Sequence, residues 1–324
     1  MRGEFELIDR LCRGLGASRR TILGPGDDCA IVARSRWPSV ITVDSMVEGR
    51  HFKIGWGAPE QIGARAMLVN LSDIAAMGAR PSHCVVNLAV RRGLSTSFIE
   101  RLYDGLKRTA RDASMDLVGG NVTGADNLAI TVTVVGELRG PALRRDQARV
   151  NDEIFVTGTF GDAALGWRIL EGTLTVANHR SRSWLVSRCL QPSPRISAGQ
   201  VLARLKPTPA AIDVSDGLAQ DLGHILERSK LGAEVEVDSI PLSPAYRSIA
   251  GDDRALALTG GEDYELIFTI RPGFDEAALS KRLGVSVGRI GRIVARRGLR
   301  ILREGKPARR AQARLRGWDQ LRDH

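Results

Sequence analysis

Aromatic residues and cysteines are scarce in this chain. Of its 324 residues only 5% are aromatic and 4 are cysteine. The cysteines, at 12, 29, 84 and 189, are too far apart to suggest a metal knuckle or a redox pair. They read as free, mostly buried thiols. No apolar run reaches the roughly 18 residues that a membrane span requires. The opening Met1-Arg2-Gly3-Glu4-Phe5-Glu6 puts acids where a secretory leader has a basic and then an apolar run, so the expected location is the cytoplasm. The phosphate-loop pattern, the protein-kinase glycine loop and the Gly-x-Gly-x-x-Gly strand-to-helix turn are all missing. If a nucleotide binds, it binds by another architecture. The net charge is +10, and much of the excess lies between Arg289 and Arg316. Nucleic-acid modules interleave basic patches with aromatics, whereas this tail has only Trp318. A solvated basic surface is expected there, and nucleic acid is not an expected partner.

What is present is ordinary for a soluble protein, with 43% hydrophobic and 26% charged residues. The length allows two domains, each with its own core. Residues 39–45 alternate and are β-branched, which predicts a strand ending near Asp44. Pro59 to Ala79 predicts a helix that carries Asn70 and Asp73 on one face. A strand is expected over 83–90. A helix running to about Ala113 follows, with Ser97 and Glu100 as its capping box. Leu128 to Glu137 is the clearest strand. The stretch from Arg139 to Asn151 is basic and turn-rich, so domains are expected at 1–148 and 149–324. Helices and strands intermix in both halves, and the class is α/β or α+β.

Six short stretches set acids or small polar residues beside glycines or strand ends. They are Gly26-Asp27-Asp28, Thr42-Val43-Asp44-Ser45, Asn70-Leu71-Ser72-Asp73, Gly119-Gly120-Asn121, Asp213-Val214-Ser215-Asp216-Gly217 and Gly260-Gly261-Glu262-Asp263. Scattered acids that converge in a fold can hold Mg²⁺, which takes oxygen ligands and neutralises polyphosphates. Taken singly, each has a plainer reading as a helix cap, an Asx turn or a loop. Asp73 sits in a helix of small apolar residues, where a carboxylate must be paired, hydrated or metal-bound. Together the stretches favour a nucleotide-dependent phosphoryl-transfer enzyme.

The order and neighbours of these stretches resemble the thiamine-monophosphate kinase family. Its superfamily also holds aminoimidazole ribonucleotide synthetase, selenophosphate synthetase and the hydrogenase-maturation carbamoyl-dehydratase. The resemblance is carried by Gly26-Asp27-Asp28-Cys29-Ala30, Gly49-Arg50-His51-Phe52, Asn70 to Ala79, Val156-Thr157-Gly158-Thr159, Pro192-Ser193-Pro194-Arg195, Asp213 to Leu218 and Gly260 to Leu266. It implies two α/β domains of the aminoimidazole ribonucleotide synthetase-like fold. It also implies a homodimer whose N-terminal sheets join into a barrel, with ATP in a cleft between domains and several Mg²⁺ ions. The implied reaction moves the ATP γ-phosphoryl group to thiamine monophosphate, giving thiamine diphosphate and ADP.

By resemblance, Asp28, Thr42, Val43, Asp44, Asp73, Asn121, Asp213 and Asp216 hold metal, and Asp73, Asp213 and Asp216 are the residues on which catalysis depends. Gly120, Asn121, Arg145 and Ser215 match nucleotide contacts. His51, Glu262 and Trp318 match substrate contacts. Two reactants that are both polyanions call for charge neutralisation and in-line positioning, and no covalent nucleophile is needed. Arg145 can fork onto a phosphate. Trp318 has a flat face suited to a cationic thiamine ring. The family usually has an aspartate where this chain has Asn121, so one carboxylate is replaced by a neutral amide. The other readings are a related enzyme of the superfamily or a non-catalytic nucleotide and thiamine-phosphate binder. Cys12 and Cys29 lack the glycine-rich setting of a selenophosphate synthetase. The ending Leu321-Arg322-Asp323-His324 lacks the terminal cysteine of the hydrogenase-maturation enzyme.

Overall fold

A computed structural model describes residues 4–15, 18–26 and 29–308, which leaves Asp27, Asp28 and Trp318 outside the described residues. The chain divides into two compact units, Met1–Ile74 with Ala79–Arg139, and Ala75–Gly78 with Gly140–His324.

The first unit runs α1 (Glu4–Cys12), β1 (Thr21–Leu23), β2 (Ile31–Val32), β3 (Ser39–Val47), α2 (Pro59–Ala76), β4 (Arg80–Arg91), α3 (Thr96–Asp112), β5 (Asp116–Ala125) and β6 (Ala129–Glu137). Its main sheet has the order β3-β6-β4-β5. Only β4 and β5 run parallel, and α3 is the crossover that this pairing demands. Alternation along β6 sorts the two faces: Ile130, Val132 and Val134 are fully buried, while Thr131, Thr133 and Val135 are half-buried on the other side. Helices α2 and α3 approach closely because each offers a glycine. A Cβ on Gly63 would lie 1.9 Å from the Leu102 carbonyl oxygen, and one on Gly105 would lie 2.0 Å from that of Glu60. The α3 helix starts earlier than its sequence suggests. Its cap is Ser95, whose hydroxyl accepts the Phe98 N–H, rather than Ser97.

The second unit runs β7 (Glu153–Thr157), α4 (Asp162–Leu170), α5 (His179–Leu190), α6 (Ile196–Leu202), β8 (Ala210–Asp213), α7 (Leu218–Ser229) and β9 (Gly232–Glu236). It continues with α8 (Pro244–Ala250), α9 (Ala255–Thr259), β10 (Leu266–Ile270), α10 (Glu276–Leu283), β11 (Val287–Val294), β12 (Gly298–Arg303) and β13 (Lys306–Pro307). The sheet order is β13-β12-β9-β11-β7-β10-β8. Its central strands are buried on both faces and so read as continuous apolar runs. Ile154, Val156, Ile212 and Ile267 join the core that includes Leu165 and Leu222. Phe155, Ala211 and Phe268 join the core that includes Leu202 and Leu279. The Phe155 and Phe268 rings stack with centroids 5.7 Å apart.

Many of the late arginines are paired. Arg289 bonds Glu153, Arg292 and Arg300 both bond Glu234, and Arg303 bonds Asp238. These pairs offset part of the positive charge on that sheet. Among the described residues no helix is long and apolar enough to cross a membrane.

Candidate active site

In the first unit, strand β3 and helix α2 bring together two of the acidic stretches. Thr42 and Asp44 share one face of β3, and Asn70 and Asp73 share one face of α2. The Thr42 hydroxyl donates to Asp73 Oδ2 at 2.5 Å. Asn70 is fully buried; its Oδ1 accepts the Asp44 N–H at 3.0 Å and its amide donates to the Ala66 carbonyl at 2.9 Å. Asn70 therefore fixes the β3 backbone where Asp44 leaves it exposed. Val43 points its side chain to the opposite face, so its one route to a cation is its carbonyl oxygen.

The turn after β3 holds His51. Its Nδ1 accepts the Val47 N–H at 3.1 Å, which puts the proton of the neutral ring on Nε2. Glu48 braces the same turn, taking Arg91 through both carboxylate oxygens and the Leu128 N–H.

Gly119, Gly120 and Asn121 are not in a loop. They lie inside β5, paired with Val85, Val86 and Asn87 of β4. A Cβ on Gly120 would lie 2.0 Å from the Val86 carbonyl oxygen, so strand packing alone requires glycine there. Register puts Asn121 on the sheet face that carries Val85 and Thr133, opposite the Thr42–Asp73 pair. Its amide donates to Asn87 Oδ1 at 2.9 Å, and Ser45 and Thr131 hydroxyls bond at 2.7 Å in the same cross-strand row. A cavity of about 840 Å³ borders this face, lined in part by Gly24, Gly26, His83, Gly119, Gly120 and Asn121.

In the second unit the stretches at 213–217 and 260–263 are laced by their backbones. Glu262 N–H donates to the Ser215 carbonyl at 2.8 Å, and Tyr264 N–H to that of Val214 at 2.8 Å. Val214 N–H donates back to the Glu265 carbonyl at 2.9 Å. The approach is so close that a Cβ on Gly261 would lie 2.2 Å from the Ser215 carbonyl oxygen. Glu262 takes φ of +71°, a left-handed conformation that costs a non-glycine residue on the order of 1–2 kcal/mol. Asp213 ends β8 and is 6% exposed, whereas Asp216 is half-buried and accepts from Gln220 Nε2 at 3.2 Å.

Behind this turn lies Asp221, a residue the sequence reading passed over. Its Oδ2 accepts the N–H groups of Ser215, Asp216 and Gly217 at 3.0, 3.0 and 3.2 Å. Burial pushes its carboxyl up to about 7, against the pull of those amides and with Asp216 adding to the rise. The available signal was an acid beside the apolar stripe of Leu218, Leu222 and Ile225, where a carboxylate needs partners. Ser215 thus has both backbone groups engaged, and a ligand contact would fall to its hydroxyl. Arg145 lies in a short 3-10 turn, Arg145–Gln147, whose carbonyl at 145 accepts the Ser229 hydroxyl at 2.8 Å. Its guanidinium is exposed and makes no ion pair among the described residues.

Asp263 and Glu265 are structural. Asp263 is 1% exposed and caps α4 by accepting the Gly161 N–H at 2.8 Å. Glu265 is fully buried and takes Arg188, Arg195 and the Thr157 hydroxyl.

Among the described residues no group of three or more His, Cys, Asp or Glu is placed to hold a metal by itself. The donors present suit Mg²⁺ nonetheless. They are carboxylate, hydroxyl and carbonyl oxygens, and Mg²⁺ commonly takes one or two carboxylates and completes its shell with phosphate and water.

Family models match both units. One, described as AIR synthase related protein, N-terminal domain, covers residues 26–138, and its C-terminal-domain counterpart covers 149–303. The thiamine-monophosphate kinase of Salmonella typhimurium is 39% identical over 314 residues, or 94% of this chain and 95% of its own length. That of Bacillus subtilis is 38% identical over 271 residues, or 82% and 83%. Among solved structures, thiamine-monophosphate kinase from Stenotrophomonas maltophilia K279a has a TM-score of 0.81 at 38% identity, covering 94% of this chain and 96% of that one. AaThiL complexed with AMPPCP and TMP has a TM-score of 0.76 at 32% identity, covering 98% and 96%. The chain belongs to the AIR synthase related family and, within it, to the thiamine-monophosphate kinases.

Proposed function

We propose that the chain transfers the γ-phosphoryl group of ATP to the phosphate of thiamine monophosphate, giving thiamine diphosphate and ADP, with Mg²⁺ required. Identity to kinases of that name over nearly the whole length carries this reading, and the relative complexed with AMPPCP and TMP supports the pair of reactants. An acceptor phosphate oxygen attacks the γ-phosphorus, the bond to the bridging β–γ oxygen breaks, and ADP leaves. Mg²⁺, when bound, supplies the charge neutralisation that two polyanions need.

The chain's own groups have assigned parts in this reading. Asp73, Asp213 and Asp216 hold the cations on which the transfer depends, with Asp28, Asp44, the Thr42 hydroxyl, the Val43 carbonyl and Asn121 as further oxygen donors. Arg145, the Ser215 hydroxyl, Gly120 and Asn121 contact the nucleotide. His51 offers Nε2–H to the acceptor phosphate. Glu262 and Trp318 contact the thiamine moiety. The domains are read as an N-terminal ATP- and Mg²⁺-binding part, 1–148, and a C-terminal part, 149–324, that supplies the remaining nucleotide and substrate groups.

The working form is read as a cytoplasmic homodimer. The supporting observation is the outer face of the β3-β6-β4-β5 sheet, where Ile41, Val43 and Val85 are 71%, 57% and 39% exposed. Purified chain mixed with ATP, Mg²⁺ and thiamine monophosphate should yield thiamine diphosphate and ADP in equal amounts. ATP binding without product would favour a non-catalytic relative and refute the assignment.

A further inference from the structure

We propose that Asp221 is a positioning residue that turns the Asp213–Gly217 segment into a cation-facing element. The inference rests on the reading above in which Asp213 and Asp216 hold Mg²⁺. Three successive backbone N–H groups converging on one point form the kind of nest that captures a phosphate oxygen. Here the nest is already filled from within, because Asp221 Oδ2 takes the amides of Ser215, Asp216 and Gly217. Asp221 is 2% exposed, so solvent does not compete for those bonds. On the other side the carbonyls of Val214 and Ser215 are taken by Tyr264 and Glu262.

The turn is therefore clamped through its donors by one carboxylate and through its acceptors by the neighbouring loop. With its amides turned inward, the turn has no backbone N–H at 214–217 left for a phosphate. It contributes side-chain oxygens, those of Asp213, Asp216 and the Ser215 hydroxyl. Gln220 adds to this by donating to Asp216 Oδ2 at 3.2 Å. Without Asp221 the three amides would lose their acceptor and could turn toward the site, where their dipoles would oppose a cation.

The test compares Asp221→Ala, Asp221→Asn and Asp216→Asn in the full chain. Mn²⁺ binding is followed by electron paramagnetic resonance with a non-hydrolysable ATP analogue present. Removing an outer partner of a metal ligand typically costs roughly 10–100-fold in affinity, and that loss is expected for Asp221→Ala. Asp221→Asn keeps an acceptor oxygen and should fall between it and wild type. A merely structural residue would lower the melting temperature and weaken every ligand together. A positioning residue shifts the Mg²⁺ requirement alone, so kcat should recover at high Mg²⁺ with KM for thiamine monophosphate unchanged. If Asp216→Asn weakens Mn²⁺ while both Asp221 variants bind it like wild type, the inference fails and the metal reading stands. If Asp216→Asn is also unaffected, the metal reading fails and takes the inference with it. Amide exchange in the wild-type chain is the independent check that no folding defect can obscure. Protection at 215–217 is expected, and exchange at open-loop rates overturns the proposal.

Discussion

Replacing Glu265 by alanine should destabilise the second unit more than any surface change. Its carboxylate lies beside the loop that carries Glu262 and holds Arg188 Nη2 at 2.8 Å, Arg195 Nε at 2.6 Å and the Thr157 hydroxyl at 2.7 Å. The two arginines do not count equally. Arg195 is 22% exposed and can turn to water, whereas Arg188 is 9% exposed, its Nε bonds nothing, and without Glu265 its Nη2 would keep only the Asp263 carbonyl at 3.2 Å. The cost is therefore mainly that of one buried cation left without its anion, about 3–5 kcal/mol. At about 2–4 °C per kcal/mol for a domain of this size, calorimetry should record a drop of roughly 6–20 °C. Replacing both partners, with Glu265→Leu and Arg188→Met, removes the stranded charge and should recover most of that loss. A single variant within about 1 kcal/mol of wild type, or a double variant no better than Glu265→Ala, would refute the reasoning.

Gly120→Ala must force apart β4 and β5 and should cost at least about 1–3 kcal/mol in thermal unfolding without any ligand; unchanged melting would show that strand packing is not why glycine is there. Asn121→Asp restores a carboxylate and should lower the Mg²⁺ concentration needed for half-maximal turnover, and an unmoved titration would remove Asn121 from the metal set. Burial raises the Asp263 carboxyl well above its ordinary 3.8, so the folded chain holds that proton more tightly than the unfolded one. Its contribution to stability is full below about 3.8 and is lost as pH rises toward the folded value, so the advantage of Asp263→Asn in urea unfolding should grow with pH. A pH-independent difference would contradict this. Ile41→Lys with Val43→Lys should halve the mass measured by light scattering, and an unchanged mass would discard the sheet-face dimer.

The strands with clean alternation and the helix over 59–76 were legible in the sequence because burial on one face imposes a period. Strand β5 was hidden for the opposite reason. Gly119, Gly120 and Asn121 have low strand propensity and read as a turn, yet close packing on β4 selects the small residue. The acids of the site were legible as motifs, but their pairing was not. Nothing local indicates that Glu262 N–H reaches the Ser215 carbonyl, or that Thr42 reaches Asp73, because such contacts depend on the register of distant strands. Asp221 was missed because a helix with an apolar stripe draws attention to its leucines rather than to the acid between them.

The β3 strand has a further consequence for how the chain must be handled after synthesis. It is nine residues long, forms an edge of its sheet, and carries Ile41 and Val43 more than half exposed. A long, β-branched edge offers unpaired backbone groups to any other extended chain, which is the usual start of aggregation. Until something covers it, the newly made protein competes between correct assembly and precipitation. Crowded, fast production should therefore favour insoluble material over folded enzyme.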